Sequence, residues 1–443
     1  MKIAFYTIGC KVNQYETQAL REQFIAKGYV PVAEGERADV YVINTCTVTN
    51  LADRKSRQYI RRARKINPEA VIAVVGCFVQ ANPEEAMSIE EIDILAGTNE
   101  KSKLSDYVAQ FLTNKREKIS HIKTRDDLLY YEETGIVTSM DSRTRAYLKI
   151  QEGCDRFCSY CIIPYARGGV RSRSEEEIVS EAAGLLAQGF KELVLTGINT
   201  ALYGREDKDA GQGPNLRLER LLKRLSDLPG DFRIRLGSLE PTVVDAEGAK
   251  RLLQFPKLCH HLHLSLQSGS FKTLQRMNRH YHPEGYREIV RVLRQEDKYF
   301  GLTTDIIVGF PGETEEEFSE TLALVNDIKF LKVHVFPYSK RKGTPAAEMK
   351  DQVSSEVKKD RSVRLSETAK KSMSGALSQM IGERRTVLFE EHEVATGVIR
   401  GFTDNYVRVH CEIESPEQAQ TYMNQFADVC IETVYNEEVR GRI

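Results

Sequence analysis

Three cysteines in a C-x3-C-x2-C spacing, Cys154, Cys158 and Cys161, share one short loop of a 443-residue chain. Thiolates this close together are metal ligands by preference. A zinc ion would need a fourth Cys or His to close its tetrahedron, and none lies within the loop or just after it. A cubane iron-sulfur cluster needs only these three, each holding one iron while the fourth iron stays open to an outside ligand. The cluster is therefore the expectation, with zinc or a structural thiol cluster as the plainer alternatives. A second set of thiols is dispersed: Cys10 follows Gly9, Cys46 follows Asn44-Thr45, and Cys77 follows Gly76. A lone Cys at a strand end is usually a small buried residue, but three at equivalent places argue for a shared task.

The elements that must position these residues are legible from the apolar pattern. The runs 2–8, 39–44 and 70–75 are β-branched and continuous, as in a buried parallel sheet, and each delivers one of the dispersed cysteines to the same C-terminal edge. A polar stretch over 113–143 reads as a linker after a first domain over 1–112. From 144 to 375, strand-like runs at 145–151, 191–196, 232–236, 261–267, 302–308 and 332–336 alternate with helical ones. Six βα units imply a parallel barrel short of eight strands, open at one side, with the first triad at the end of its first strand. Beyond 376, short alternating runs end the chain as a small antiparallel β-barrel. The fold class is thus α/β with a small all-β domain appended.

The loop C-x3-C-x2-C with Tyr160 just before its third cysteine, together with its flanks 146–154 and 162–168, resembles the radical S-adenosylmethionine enzymes, and among them the methylthiotransferases. The motifs around Cys10, Cys46 and Cys77 resemble the N-terminal domain of that family, and the C-terminal barrel resembles the TRAM domain, an RNA-binding module. The residues 9–16 and 44–58 look like the MtaB-type branch, which modifies N6-threonylcarbamoyladenosine beside the tRNA anticodon. MiaB-type enzymes act on isopentenyladenosine and RimO-type enzymes on a ribosomal-protein aspartate; both carry different residues after the first cysteine. Phe78-Val79 departs from the family's usual Tyr-Ala and leaves the ligand Cys77 intact.

The resemblance implies two 4Fe-4S clusters, one on Cys154, Cys158 and Cys161 and one on Cys10, Cys46 and Cys77, with S-adenosylmethionine on the open iron of the first. It implies that Tyr160 packs near the adenine, that Gly197 and Asn199 approach the methionyl group, and that Ser238, Glu240 and Gln267 bind its polar parts. It also implies tRNA as substrate, a reductant protein such as flavodoxin or ferredoxin, and a sulfur source.

Other features are weighed on the residues alone. The helical run 53–65 carries Arg54, Lys55, Arg57, Arg61 and Arg62, more positive charge than a solvated face requires and suited to RNA phosphates. Arg400, Tyr406, Arg408 and Arg442 are the corresponding candidates on the C-terminal barrel. His260, His261 and His263 invite a metal reading, but alternation sends 260 to the face opposite 261 and 263, so packing and surface roles are expected. Cys259, Cys411 and Cys430 fall outside every motif and read as ordinary small residues. A net charge of -1, 41% hydrophobic and 29% charged residues describe a soluble protein, and no long apolar run or leader pattern exists. Nine dispersed cysteines speak for a reducing compartment, hence the cytoplasm. Two rivals stand beside the tRNA reading: a radical enzyme acting on a protein side chain, and a non-catalytic RNA-binding iron-sulfur protein.

Overall fold

A computed structural model describes residues 1–114, 117–135, 137, 144–206 and 216–443. Its first layer is a six-stranded parallel sheet of β1 (Lys2–Thr7), β2 (Val30–Pro31), β3 (Val40–Thr45), β4 (Val71–Gly76), β5 (Ile94–Ala96) and β6 (Ile119–His121), in the order β2-β1-β3-β4-β5-β6. Every residue of β3 and β4 is buried, because helices cover both faces. Tyr41, Ile43 and Val74 pack with Ile60 on one side, while Val42 and Val75 pack with Phe24 and Val108 on the other. That two-sided burial is why these strands read as unbroken apolar runs. β6 lies inside the stretch expected as linker and pairs with β5, so the sheet continues past residue 112. The rest of that stretch at 115–116, 136 and 138–143 falls outside the described residues.

The second layer begins with β7 (Arg145–Lys149) and the short antiparallel pair β8 (Gln151–Glu152) and β9 (Arg171–Ser172). It continues through β10 (Glu192–Thr196), β11 (Arg233–Leu236), β12 (Ser238–Leu239), β13 (His261–Leu264), β14 (Gly301–Val308) and β15 (Lys332–Pro337). The parallel sets β11-β10-β7 and β12-β13-β14-β15 are joined by a bridge from Ile234 to Leu258. The result is a curved sheet that does not close, with β7 and β15 at its edges and a core containing Leu148, Leu195, Leu264, Leu302 and Phe318. All six strands expected from the sequence are present.

A helix over Ser355–Ser378, capped by Ser354 on the Val357 N–H, leads to the third layer. There β16 (Arg384–Glu393), β17 (Val398–Thr403), β18 (Arg408–Glu412), β19 (Phe426–Tyr435) and β20 (Glu438–Arg442) close into a barrel in the order β16-β17-β18-β20-β19. One pair, β18 with β20, is parallel; the others are antiparallel. β17 starts at Val398 because Gly397, at φ 65°, turns the chain there, and β18 starts at Arg408 because Tyr406 stands at φ 70°. Among the described residues no helix is long and apolar enough to cross a membrane.

Candidate functional site

The loop bearing the first triad leaves β8 and returns as β9 through a close approach that requires glycine. Gly153 has φ 74°, and a Cβ on it would sit 1.7 Å from the Gly169 carbonyl oxygen. Phe157, at φ 46°, turns the chain between Cys154 and Cys158 and lies under the Arg125 guanidinium at 5.0 Å. The Ser159 N–H donates to the Met277 carbonyl at 2.9 Å and the Ser159 carbonyl accepts from the Ala346 N–H at 2.8 Å, clamping the loop from two sides. Burial pushes the Cys154 thiol up to about 12 and raises Cys161 as well, with Cys158 adding to both. Crowded thiols that resist ionising alone are relieved by a metal group that takes them as thiolates. Arg279, buried just past the helix Phe271–Arg276, reaches the Cys158 sulfur at 3.7 Å.

The dispersed cysteines follow three adjacent strands of the first sheet. Cys10 stands three residues past β1 at the N-cap position of the helix Lys11–Ala26, Cys46 follows β3, and Cys77 opens the helix after β4. Burial raises Cys46 to about 12, with the neighbouring Cys77 and Cys10 adding to it; burial also raises Cys77. Arg167, on the helix that follows the first triad, donates from Nε to the Cys77 sulfur at 3.2 Å and from its terminal nitrogens to Asn13 at 2.7 Å, Glu152 at 2.8 Å and Glu16 at 3.0 Å. Each triad thus has a buried arginine on one sulfur, and one of them ties the two layers together.

Both triads fit a cluster better than a single ion. Among the described residues, the groups of His, Cys, Asp and Glu whose ligand atoms all close to within 4.8 Å are His263-Asp305-His334 and His260-Asp297-Asp404, and neither cysteine triad is one of them. A lone zinc ion would draw thiolates to about 2.3 Å from itself and hence nearer together. Around the first triad, Asn199 Oδ1 and the Nε atom of Arg279 are buried without a partner, a polar deficit that a bound ligand would satisfy.

The residues expected at S-adenosylmethionine lie at successive strand ends. Gly197 is so close to Gln151 that a Cβ would come within 3.0 Å of its amide oxygen, and the Asn199 N–H donates to that oxygen at 3.0 Å. Asn199 also donates to Glu240 at 3.2 Å, and Glu240 is paired with Arg156 at 3.0 Å and Arg279 at 3.5 Å. Gln267 takes φ 66° while its backbone bonds both ways to β14. Tyr160 packs edge-on against Phe310 with ring centres 6.4 Å apart.

A cavity of about 650 Å³ joins the three layers. Cys10 and Lys11 stand on one wall, Gly197 and Ser238 on another, and Tyr406 and Arg408 of the third layer on another. Tyr406 is thus no outer-surface residue. It stacks on Phe402 at 5.0 Å, leans on His261 at 4.7 Å and carries Arg235 over its ring at 4.4 Å.

The remaining basic candidates divide. On the helix Asn50–Ile66, Arg54, Lys55, Arg61, Arg62 and Lys65 are exposed, whereas Arg57 pairs with Glu85 at 2.7 Å and Arg64 with Asp93 at 2.8 Å. Arg400 is held by Glu393 at 2.8 Å and Arg408 by Glu391 and Glu438 at 2.6 and 2.9 Å; Arg442 is exposed, 3.4 Å from Glu432. The histidines do not converge on one point: His261 and His263 both meet the Thr303 hydroxyl at 3.0 Å, and His260 meets Asp297 at 2.9 Å. Cys259 and Cys411 are buried.

Sequence reasoning missed Arg167, Arg279 and Arg341. The last inserts from the second layer into the first, bonding Thr47, Asn50 and Asp53 at 2.6 Å each. Arg167 alone had a local signal, since it closes the loop motif itself.

The chain matches two family models: residues 2–97 match the uncharacterized protein family UPF0004, and residues 148–325 match the radical SAM superfamily. It is 44% identical to the threonylcarbamoyladenosine tRNA methylthiotransferase MtaB of Bacillus subtilis over 92% of this chain and 89% of that protein. It is 38% identical to the protein of the same name from Aquifex aeolicus, over 93% of this chain and 97% of the relative. A tRNA-2-methylthio-N(6)-dimethylallyladenosine synthase from Caldicellulosiruptor saccharolyticus is 35% identical over 96% of this chain and 88% of its own. Among solved structures, the radical S-adenosylmethionine methyltransferase TsrM from Kitasatospora setae shares the fold at a TM-score of 0.57 and 15% identity, over 78% of this chain and 76% of that one.

Proposed function

The chain belongs to the tRNA methylthiotransferases of the radical S-adenosylmethionine superfamily, and from that premise we propose how its residues carry out the modification. It adds a methylthio group to C2 of N6-threonylcarbamoyladenosine in tRNA; relatives named for that substrate match more closely than one named for dimethylallyladenosine. The observation that carries the mechanism is the single cavity with Cys10 on one wall and Gly197 and Ser238 on another, because a base held there faces both sites at once.

When bound, the clusters and S-adenosylmethionine supply the radical that opens an unactivated C–H bond, the sulfur and the methyl group, none of which a side chain offers. Cys154, Cys158 and Cys161 would hold one 4Fe-4S cluster, and Cys10, Cys46 and Cys77 a second, which would supply the sulfur. Asn199, Glu240 and Gln267 would orient S-adenosylmethionine, Glu240 being itself fixed by Arg156 and Arg279. Tyr406, braced by Phe402, His261 and Arg235, would form a rigid wall against the nucleoside, and Thr303 fixes His261 and His263. The exposed cations Arg54, Lys55, Arg61 and Arg62 would track RNA phosphates, with the C-terminal barrel acting as a TRAM-type module. A first domain carried past 112 by β6, domains over 144–375 and 376–443, a cytoplasmic location, a flavodoxin or ferredoxin as reductant and a separate sulfur source complete the reading.

The test is an anaerobic assay of reconstituted protein with reductant, S-adenosylmethionine and tRNA bearing threonylcarbamoyladenosine, followed by mass spectrometry of the nucleosides. A 2-methylthio product is expected. Formation of 5'-deoxyadenosine with no thiolated nucleoside from this tRNA would refute the substrate.

A further inference from the structure

The cavity has four Lys or Arg residues among its lining, and three of them are neutralised in place. Arg235 is held by Glu192 at 2.8 Å, Arg408 by Glu391 and Glu438, and Lys332 by Glu437 at 2.8 Å. The cavity's other acid, Asp305, faces His263 at 3.3 Å. Lys11 is different. It lies exposed next to Cys10, makes no ion pair or hydrogen bond among the described residues, and has as its nearest specific contact the Tyr147 ring at 5.9 Å. Its charge is felt at His261 and His334 on the opposing strands, so it looks across the cavity rather than away from it. Gln14, one helical turn on and so on the same helix face, lines the same wall with an exposed amide.

A substrate cavity that compensates every other lysine and arginine and leaves one ammonium open is built for an anion the substrate brings. A threonylcarbamoyl group brings one: a free carboxylate, on a ureido arm beyond the adenine edge. A dimethylallyl group brings only hydrocarbon and would cover the ammonium without a partner, an arrangement that costs the full desolvation of the charge. We propose that Lys11 is the specificity-determining residue of this enzyme, pairing with the carboxylate of the threonylcarbamoyl group, with Gln14 hydrogen-bonding the ureido arm. The proposal rests on threonylcarbamoyladenosine being the substrate. Because Lys11 directly follows Cys10, the pairing also sets the register of the base, bringing its C2 edge to the wall from which sulfur is delivered.

The experiment measures binding, with cluster-reconstituted full-length protein and three anticodon stem-loops as probes. One carries threonylcarbamoyladenosine, one its carboxylate methyl ester, and one isopentenyladenosine. Wild type is expected to bind the free acid about ten- to a hundredfold more tightly than the ester, the range for a charge-assisted hydrogen bond. Lys11→Met should bring acid and ester to near equality, while Lys11→Arg should keep the preference. Iron content and far-UV circular dichroism check that each variant is folded and loaded. If Lys11→Met retains the wild-type acid-to-ester ratio, or if wild type itself does not distinguish acid from ester while still preferring both over the isopentenyl loop, Lys11 is not the reader and the substrate reading stands. If wild type shows no preference for the threonylcarbamoyl loops over the isopentenyl loop, the substrate reading fails and this proposal falls with it. Should Lys11→Met not fold, the wild-type and Lys11→Arg ratios still decide the matter, since an acid-to-ester ratio of one in wild type overturns it.

Discussion

Replacing Arg167 by methionine perturbs the one side chain that reaches from the first triad's loop to the second triad. The guanidinium is fully buried within a group of six charges, with Glu16 and Glu152 against Lys101, Lys149, Arg167 and Arg171, the last 3.8 Å from Glu152, that is two negative and four positive, a net of two positive charges next to the Cys77 sulfur. Burial alone would push the Glu16 carboxyl up, yet Arg167, Lys101 and Lys149 hold it well below the usual carboxylate range. Removing one partner of a buried ion pair costs about 3–5 kcal/mol. Arg167→Met should fall at the low end, because each carboxylate left behind keeps a lysine at 2.7 to 2.8 Å. Glu16→Gln should cost more, since it leaves four cations, Lys101, Lys149, Arg167 and Arg171, around the one carboxylate of Glu152. A single melting temperature is a poor readout for a chain of several layers. Hydrogen exchange followed by mass spectrometry resolves the seam itself. A loss of about 3 kcal/mol speeds exchange through local opening roughly a hundredfold in peptides spanning 10–20 and 163–173. Exchange there within about threefold of wild type for Arg167→Met, or a milder effect for Glu16→Gln than for Arg167→Met, would refute the charge argument.

Three further outcomes follow from the geometry. Cys154→Ala should abolish 5'-deoxyadenosine formation and Cys77→Ala should spare some of it while abolishing thiolation, each losing about four of eight irons per chain; equal effects of the two would break the division of labour. The seam between the second layer and the C-terminal barrel should loosen as pH rises through neutrality. His260 is raised by its hydrogen bond to Asp297, with Asp404 adding to this and Arg385 opposing it, so its contribution is complete below its unfolded pKa of about 6.5 and is lost as pH climbs through the folded value. Asp297, depressed by His260 and Arg385 against its burial, works the other way and is lost only in strong acid. Proteolysis of the barrel seam against pH, with His260→Gln abolishing the neutral-range step, is the check. Finally, Gly301→Ala would place a Cβ 2.0 Å from the Asn405 carbonyl oxygen, beside the 2.7 Å bond from Asn405 to the Tyr299 carbonyl. Overpacking of this kind costs about 1–3 kcal/mol, and exchange should rise in 400–410, which carries Tyr406 to the cavity, but not in the N-terminal sheet.

What the sequence could and could not disclose follows from how far each fact is from a local pattern. The strands before Cys10, Cys46 and Cys77 are buried on both faces, so their apolar runs announced a parallel sheet, and a parallel sheet puts its strand ends together whatever the intervening helices do. The second-layer strands were legible for the same reason. Arg279 on the Cys158 sulfur was not, because it is brought there by the end of the helix Phe271–Arg276, more than a hundred residues from the triad, and nothing in its neighbourhood distinguishes it from a surface arginine. Tyr406 shows the subtler failure. Alternation through 405–410 places 406 and 408 on one face of a strand, and from that face an RNA contact is a fair inference. The strand does not begin until Arg408, however, and the positive φ at Tyr406 swings its ring onto Phe402 and beneath Arg235, into the cavity. The residue still meets the substrate nucleoside by this reasoning, but as a wall of the reaction chamber shared with Cys10 and Lys11. The C-terminal barrel therefore completes the site, and shortening the chain before 376 should remove part of the catalytic cavity along with any grip on the RNA. Loss of substrate-free reductive cleavage in such a truncation would count against this division, since Cys154, Cys158 and Cys161 lie wholly within the second layer.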